Sequence, residues 1–468
     1  MEWVAALPWN QWQASRGIGG SFGVEYACLR PQGTTTTLRQ CRRMAWAMLV
    51  MTGRGTMLGL SRWAGRGGSY RTVQRFFSQA LPWTMRFGVC FRQHMSSPGE
   101  VYLLVGDEVV VTQAGKTTHG LDRGFASVYG KPVPGRAFFT LSLVSVQARR
   151  SFPMRVAQVG RSDTEKAASK AQAEAQQPRM LRPQRRPGRP LGSTNRTKMH
   201  VTRPPELVRI KAMRAALRPL IMQGGPLTSL VLDGHFGHHN ALQMVRQCDV
   251  PLLSTLRCDA ACSLPYTGPY AGRGPPRKDG RKIDCDPLPV PYRKETTVEG
   301  HIQPRLYPMQ RLPKVCAHPL NVVILAKTNL RPQARAQGSL LSSDLDLASA
   351  LRVDEYRLRF QIEVNCRDAK QDRGLADFMN VPPTGVTNAA HLSLCRVNVA
   401  YRRRADLHSR DADASVLDLK ADCRGYPYVA ETMKMLPENP APILVAKILH
   451  QVAGLGRIHV SPPSFSFS

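Results

Sequence analysis

Carboxylates are scarce in this chain: 33 Asp and Glu stand against 65 Lys and Arg over 468 residues, leaving a formal charge of +32. A surplus this large points to a polyanionic partner, which for a protein without a membrane anchor means nucleic acid. An Arg-rich composition also arises from codon bias, so charge alone leaves a merely basic soluble protein open. Long apolar runs are missing too. The longest near the start, MAWAMLVM at 44–51, is far too short to span a bilayer. Residues 1–20 carry Glu2 and lack the compact apolar centre of a secretion signal. These absences predict a cytoplasmic protein with no membrane partner. CxxC pairs are absent among 11 widely spaced cysteines, which fits thiols kept reduced. The closest set, Cys258-x3-Cys262 after His235, His238, His239 and Cys248, matches no common zinc spacing.

The apolar fraction of 42% suffices for ordinary cores, and the length predicts two or three domains. Residues 1–36 have no clear pattern. A helical DNA-binding region is expected over 37–97. In it TLRQCRRMAWAMLVMTG is amphipathic, and TMLGLSRWAGRGGSYRTVQRFFSQ (56–79) reads as helix, Gly-rich turn and second helix capped by Ser69. That layout resembles a helix-turn-helix, with Arg71, Gln74 and Arg75 on the polar face of the second helix; an ordinary two-helix corner explains it equally well. Strands are expected at VYLLVGDEVVV (101–111), FFTLSLVSV (138–146), LTSLVLDGHF (227–236) and PLLSTLR (251–257), within a core over 98–257 interrupted by a basic insertion at about 147–226. A β-rich insertion follows at 258–340. Residues 341–405 carry a helix between Asp344 and Asp372 and a further helix, and 406–468 a helical C-terminal region and tail. Strands interleaved with helices indicate a mixed α/β core.

Asp107 and Asp233 each interrupt an apolar strand. A carboxylate there needs a partner, because burying it alone costs several kcal/mol. Salt bridges would serve, and so would a pair of hard divalent cations such as Mg²⁺, provided a third carboxylate helped to hold them. DEYRLRFQIEVNCRDAK (354–370) offers that third group. At about 100° per residue, Tyr356, Arg359, Glu363 and Lys370 share one narrow sector of a single long helix, with Leu351, Leu358, Ile362 and Ala369 opposite on the core side. Arg, Lys and a Tyr hydroxyl suit phosphate. On spacing alone, a solvated face with one Arg–Glu pair is the simpler reading.

The motifs together carry more. Tyr356-x2-Arg359-x3-Glu363-x6-Lys370 resembles the Y-R-E-K signature of the bacterial insertion-sequence transposases of the "IS four" group. GDEVVVTQAGKTTHGLDRGFASVYGK (106–131) and LVLDGHFGHHNAL (230–242) resemble their first- and second-aspartate regions. The resemblance covers about residues 40–410. It implies an RNase H-like core with a β-rich insertion between the second and third acids. It implies Asp107, Asp233 and Glu363 as a catalytic triad holding two Mg²⁺ ions, for which Mn²⁺ can substitute, and Tyr356, Arg359 and Lys370 as phosphate-binding groups. It further implies cut-and-paste transposition on double-stranded DNA, at terminal inverted repeats and a target, by a homodimer in the synaptic complex of a bacterial, nucleoid-associated protein. Glu108 should face away from Asp107, since side chains alternate along a strand, and Asp122 lies outside that strand. RPQRRPGRPLGSTNRTK (182–198) resembles an AT-hook, in which Arg185, Arg186 and Arg189 would enter a narrow minor groove; GRGPPRKDGRK (272–282) is a looser copy. Two rival readings remain at this point: a decayed transposase that only binds DNA, and an RNase H-like nuclease acting on branched or hybrid nucleic acid.

Overall fold

The computed structural model describes residues 35–455 except positions 66, 114–116, 127–129, 161–203, 222–225, 258, 259, 261, 271, 273–275, 284–287, 314–317, 332, 333, 410 and 437–439. Four helices open it: α1 (Thr35–Val50), α2 (Met57–Trp63), α3 (Tyr70–Ser78) and α4 (Trp83–His94). Strands β1 (Tyr102–Thr112), β2 (Asp122–Ala126), β3 (Lys131–Ser145) and β4 (Arg150–Val159) follow, then α5 (Pro205–Ile221), β5 (Leu227–Val231), α6 (His239–Arg246) and β6 (Leu252–Leu256). β4 corrects the expected start of the basic insertion. Residues 150–159 are a core strand paired antiparallel to β3 along Ala137–Ser145, and Pro153, which argues against a strand and sits at the register shift of this pairing, hid it.

β3 pairs antiparallel with β1, and β5 lies parallel to β1 on its other side, with β6 parallel to β5. Three antiparallel strands continued by two parallel ones form an RNase H-like mixed sheet, as the resemblance implied. The sheet does not end at β6. Strands β7 (Cys262–Pro265), β8 (Asp279–Ile283), β9 (Lys294–Glu295), β10 (Ile302–Pro313), β11 (Leu320–Asn329) and β12 (Arg335–Ser342) extend it, with β12 antiparallel to β6. The chain then returns to the core through α7 (Ser349–Leu358), α8 (Phe360–Asp372), α9 (Pro383–His408), α10 (Val416–Met433) and α11 (Pro442–Gly454). Among the described residues, no helix is long and apolar enough to cross a membrane.

Both faces of the central sheet are covered, which is why its strands read as apolar on both sides. Alternation splits β1: Leu103, Val105, Val109 and Val111 pack with α8, α9 and the N-terminal helices, whereas Tyr102 and Leu104 join α5 and α6. The N-terminal helices share the first of these cores. Trp83 Nε1 donates to Asn388 Oδ1 on α9 at 2.7 Å, and Asn388 Nδ2 donates to the carbonyls of Phe77 and Gln79 at 2.9 and 2.8 Å. Trp83 also stacks on His391, with ring centroids 5.5 Å apart and planes 13° apart. Burial lowers the pKa of His391 to about 4, so it packs there as a neutral ring.

The expected single helix is two. Arg359 sits at the joint of α7 and α8, where its N–H donates to Tyr356 O at 3.1 Å and its carbonyl accepts from Ile362 N at 3.0 Å. These three-residue turns are tighter than an α-helix and change the helical phase. Leu358, Ile362 and Ala369 are buried as expected, but Leu351 is 43% exposed: the start of α7 buries Arg352 and Val353 instead, with Val353 packed on Leu306, Val323 and Leu340 of the strands.

Candidate active site

Asp107 leaves β1 on the face covered by α8. Glu108 leaves on the other, where α5 places Glu206 and Arg209 and the turn after β5 places His235. The parallel pairing of β1 and β5 aligns Val105 with Val231. Asp233 lies two residues past the end of β5 and acts electrostatically on Asp107, less strongly than Glu363 does. It precedes a single turn, Gly234–Phe236, without capping it.

The DGHFG sequence is explained by close packing. A Cβ on Gly234 would lie 2.3 Å from Thr255 Oγ1, and one on Gly237 would lie 1.8 Å from Thr255 O. Both glycines let the turn press against β6, while Phe236 anchors it in the core against Phe139. Ser254 Oγ donates to Asp233 O at 2.6 Å and fixes the backbone there.

From above, α7 and α8 supply the remaining groups. Arg359 Nη1 lies 3.3 Å from Asp107 Oδ2, and Nη2 lies 2.5 Å from Glu363 Oε1. Because both acids meet one guanidinium, their carboxyl groups lie within about 8 Å of each other, the reach of that planar fork. Tyr356 hydrogen-bonds to Arg359 and to Thr255. The tight turn at the joint eclipses residues three apart, which brings Tyr356 and Arg359 into line. Lys370 lies one turn beyond Cys366, half-buried, and desolvation lowers its pKa despite the opposing influence of that thiol.

The electrostatics are strained. Burial raises the pKa of Asp107 from 3.8 to about 6; Arg359 opposes the rise, and Glu363 and Asp233 add to it. For Arg359, burial works against the charge, but Asp107, Tyr356 and Glu363 outweigh it and hold the pKa above its ordinary value. Asp122, on β2, caps the N–H of Arg123 at 2.8 Å and takes no part in this cluster.

Sequence reasoning missed three supporting groups. Thr140, opposite Asp107 in the β1–β3 register, donates to Asp107 O at 3.2 Å and lies 4.0 Å from Cys366 Sγ. Thr255 holds the Tyr356 hydroxyl. Cys366 is buried between Asp107 and Lys370, and burial pushes its thiol up to about 12, so it packs as an inert group. A threonine in a strand and a cysteine in a helix carry no sequence signal for such roles; only the glycines flanking Phe236 hint at the packing beside Thr255.

The donor chemistry suits hard divalent cations: three carboxylates, one of which, Asp233, has a buried Oδ1 with no hydrogen-bond partner. Yet among the described residues no three His, Cys, Asp or Glu side chains converge closely enough to hold an ion as they stand. The Arg359 guanidinium lies between two of the three.

On α3, Ser69 caps the helix by accepting from Thr72 N at 3.4 Å, and Arg71, Gln74 and Arg75 are exposed while Val73, Phe76 and Phe77 are buried. Arg185, Arg186 and Arg189 lie outside the described residues. A family profile for the DDE superfamily endonucleases matches residues 26–307, well over half the chain. Asp107 and Asp233 fall inside that span; Tyr356, Arg359, Glu363 and Lys370 follow it. No curated protein matches the chain.

Proposed function

The chain belongs to the DDE superfamily endonucleases, a family that acts on DNA with divalent metal ions, and from that premise we propose that it is an insertion-sequence transposase of the "IS four" kind. The observation that carries this reading is the meeting of Asp107 and Glu363, distant in sequence, at one guanidinium beside Asp233. Asp107, Asp233 and Glu363 would hold two Mg²⁺ ions, which when bound activate water and neutralise charge at the scissile phosphate. Tyr356 and Lys370 flank the acids and offer a hydroxyl donor and a point charge to the phosphate oxygens. Hydrolysis at a transposon end breaks the bond from phosphorus to the 3′ oxygen and frees a 3′-hydroxyl. At integration that hydroxyl replaces the 3′ oxygen of a target phosphodiester. Cutting two ends together calls for a dimer, and Arg71, Gln74 and Arg75, exposed on α3, would contact the DNA.

A supercoiled plasmid carrying the DNA that flanks the coding region tests the proposal. With Mg²⁺, excision and strand-transfer products are expected at the two ends of the element. Nicking of branched or hybrid substrates, with no product at those ends, would favour the nuclease reading instead.

A further inference from the structure

Arg359 occupies the space that a shared ion would need. Its guanidinium spans from Asp107 to Glu363 and touches the Tyr356 hydroxyl, and its side chain is 19% exposed. It extends from the joint between two helices, where one backbone turn separates α7 from α8. Carboxylates that share Mg²⁺ approach it to about 2.0–2.1 Å; carboxylates that share a guanidinium are spread by a flat group of three nitrogens. That spreading accounts for the lack of convergence among the acids. Guanidinium and ion therefore exclude one another.

We propose that Arg359 is a displaceable counter-ion, filling the acidic centre when no DNA is bound and leaving it for a DNA phosphate, so that DNA binding opens the centre to divalent ions. This rests on the reading that the three acids hold such ions. The exchange keeps charge balanced at each stage. Without DNA, one guanidinium offsets the repulsion between Asp107 and Glu363. With DNA, a phosphate offers the same planar fork one bidentate anion in place of two single contacts to carboxylates, and Tyr356, hydrogen-bonded to Arg359, lies where it can follow. The consequence is reciprocal coupling: DNA tightens metal binding, and metal tightens DNA binding by the same factor. Metal-loaded, cleavage-competent protein then forms only on DNA.

Mn²⁺ binding to the full-length protein, followed by the loss of the free-ion electron paramagnetic resonance signal, tests this with and without a linear random-sequence duplex. In wild type, the duplex should tighten Mn²⁺ binding by about tenfold, in the usual range of such couplings. Arg359→Gln should bind Mn²⁺ about tenfold more tightly than wild type without DNA, and the duplex should add little. Arg359→Lys, a point charge unable to bridge both acids, should fall between them, and circular dichroism melting confirms that each variant is folded. Arg359→Gln binding Mn²⁺ no better than wild type in the absence of DNA would overturn the proposal. Wild type binding Mn²⁺ no better than Asp107→Asn, with or without DNA, would instead overturn the metal-site reading on which it rests.

Discussion

Two polar junctions of the molecule solve opposite problems. At the seam between the N-terminal helices and α9, Asn388 uses its carbonyl oxygen on Trp83 and its amide on two backbone carbonyls, all at 2.7–2.9 Å. At the joint of α7 and α8 over β1, Asp233 keeps a buried oxygen with no partner, Asp107 is pushed toward its neutral form, and one arginine serves two acids. Saturated polar groups lock helices in one arrangement, whereas partly satisfied ones hold binding capacity for something else. The first junction serves packing, and under the proposed function the second serves chemistry.

Substitutions at the two junctions should therefore fail differently. The largest effect is expected for Asp233→Ala, which should lower DNA cleavage by several orders of magnitude in the plasmid assay while duplex binding survives and thermal stability does not fall; Asp107→Ala and Glu363→Ala should do the same to cleavage. Asn388→Ala should show the reverse pattern. It strands the Trp83 indole and two carbonyls, and urea unfolding should register a loss of about 2–4 kcal/mol.

A pH series sharpens the contrast. Because the pKa of Asp107 rises from 3.8 to about 6 on folding, the folded chain holds that proton more tightly than the unfolded one. The stability this contributes is fully present below about pH 4 and is lost as pH rises through about 6. Asp107→Asn cannot ionise, so in metal-free buffer it should melt a few degrees above wild type at pH 8, and the two should converge below about pH 4. The smallest effect is expected away from both junctions. Replacing Arg71, Gln74 and Arg75 together with Ala should weaken duplex binding by about tenfold and reduce its salt slope by about two, with no change in melting temperature.

Much of the second junction was legible in the sequence, and almost none of the first. Asp107 and Asp233 stand out because a carboxylate contradicts the apolar strand around it; Glu363 stands out only through the resemblance of its segment to the Y-R-E-K signature, since spacing alone favoured a solvated Arg–Glu pair. Ser69 announced its helix by side-chain chemistry. Leu351 was misplaced because angular arithmetic does not show which strands a turn meets: the start of α7 packs Val353 on β10, β11 and β12 and leaves Leu351 outside. The pairing of Arg359 with Asp107 was invisible, since a motif gives the order of residues along one element and says nothing of what faces them. Asn388 was equally silent: its partners lie more than 300 positions away, and an asparagine within an apolar helix carries no mark of them.

The central claim is that Asp107, Asp233 and Glu363 share one pair of divalent ions. A crystal soaked in Mn²⁺ with a bound DNA end, measured for anomalous scattering, tests it most directly. Two peaks roughly 3.5–4 Å apart between the three carboxylates are predicted. Ordered carboxylates with no peak between them, and Arg359 still lodged against Asp107 and Glu363, would contradict it.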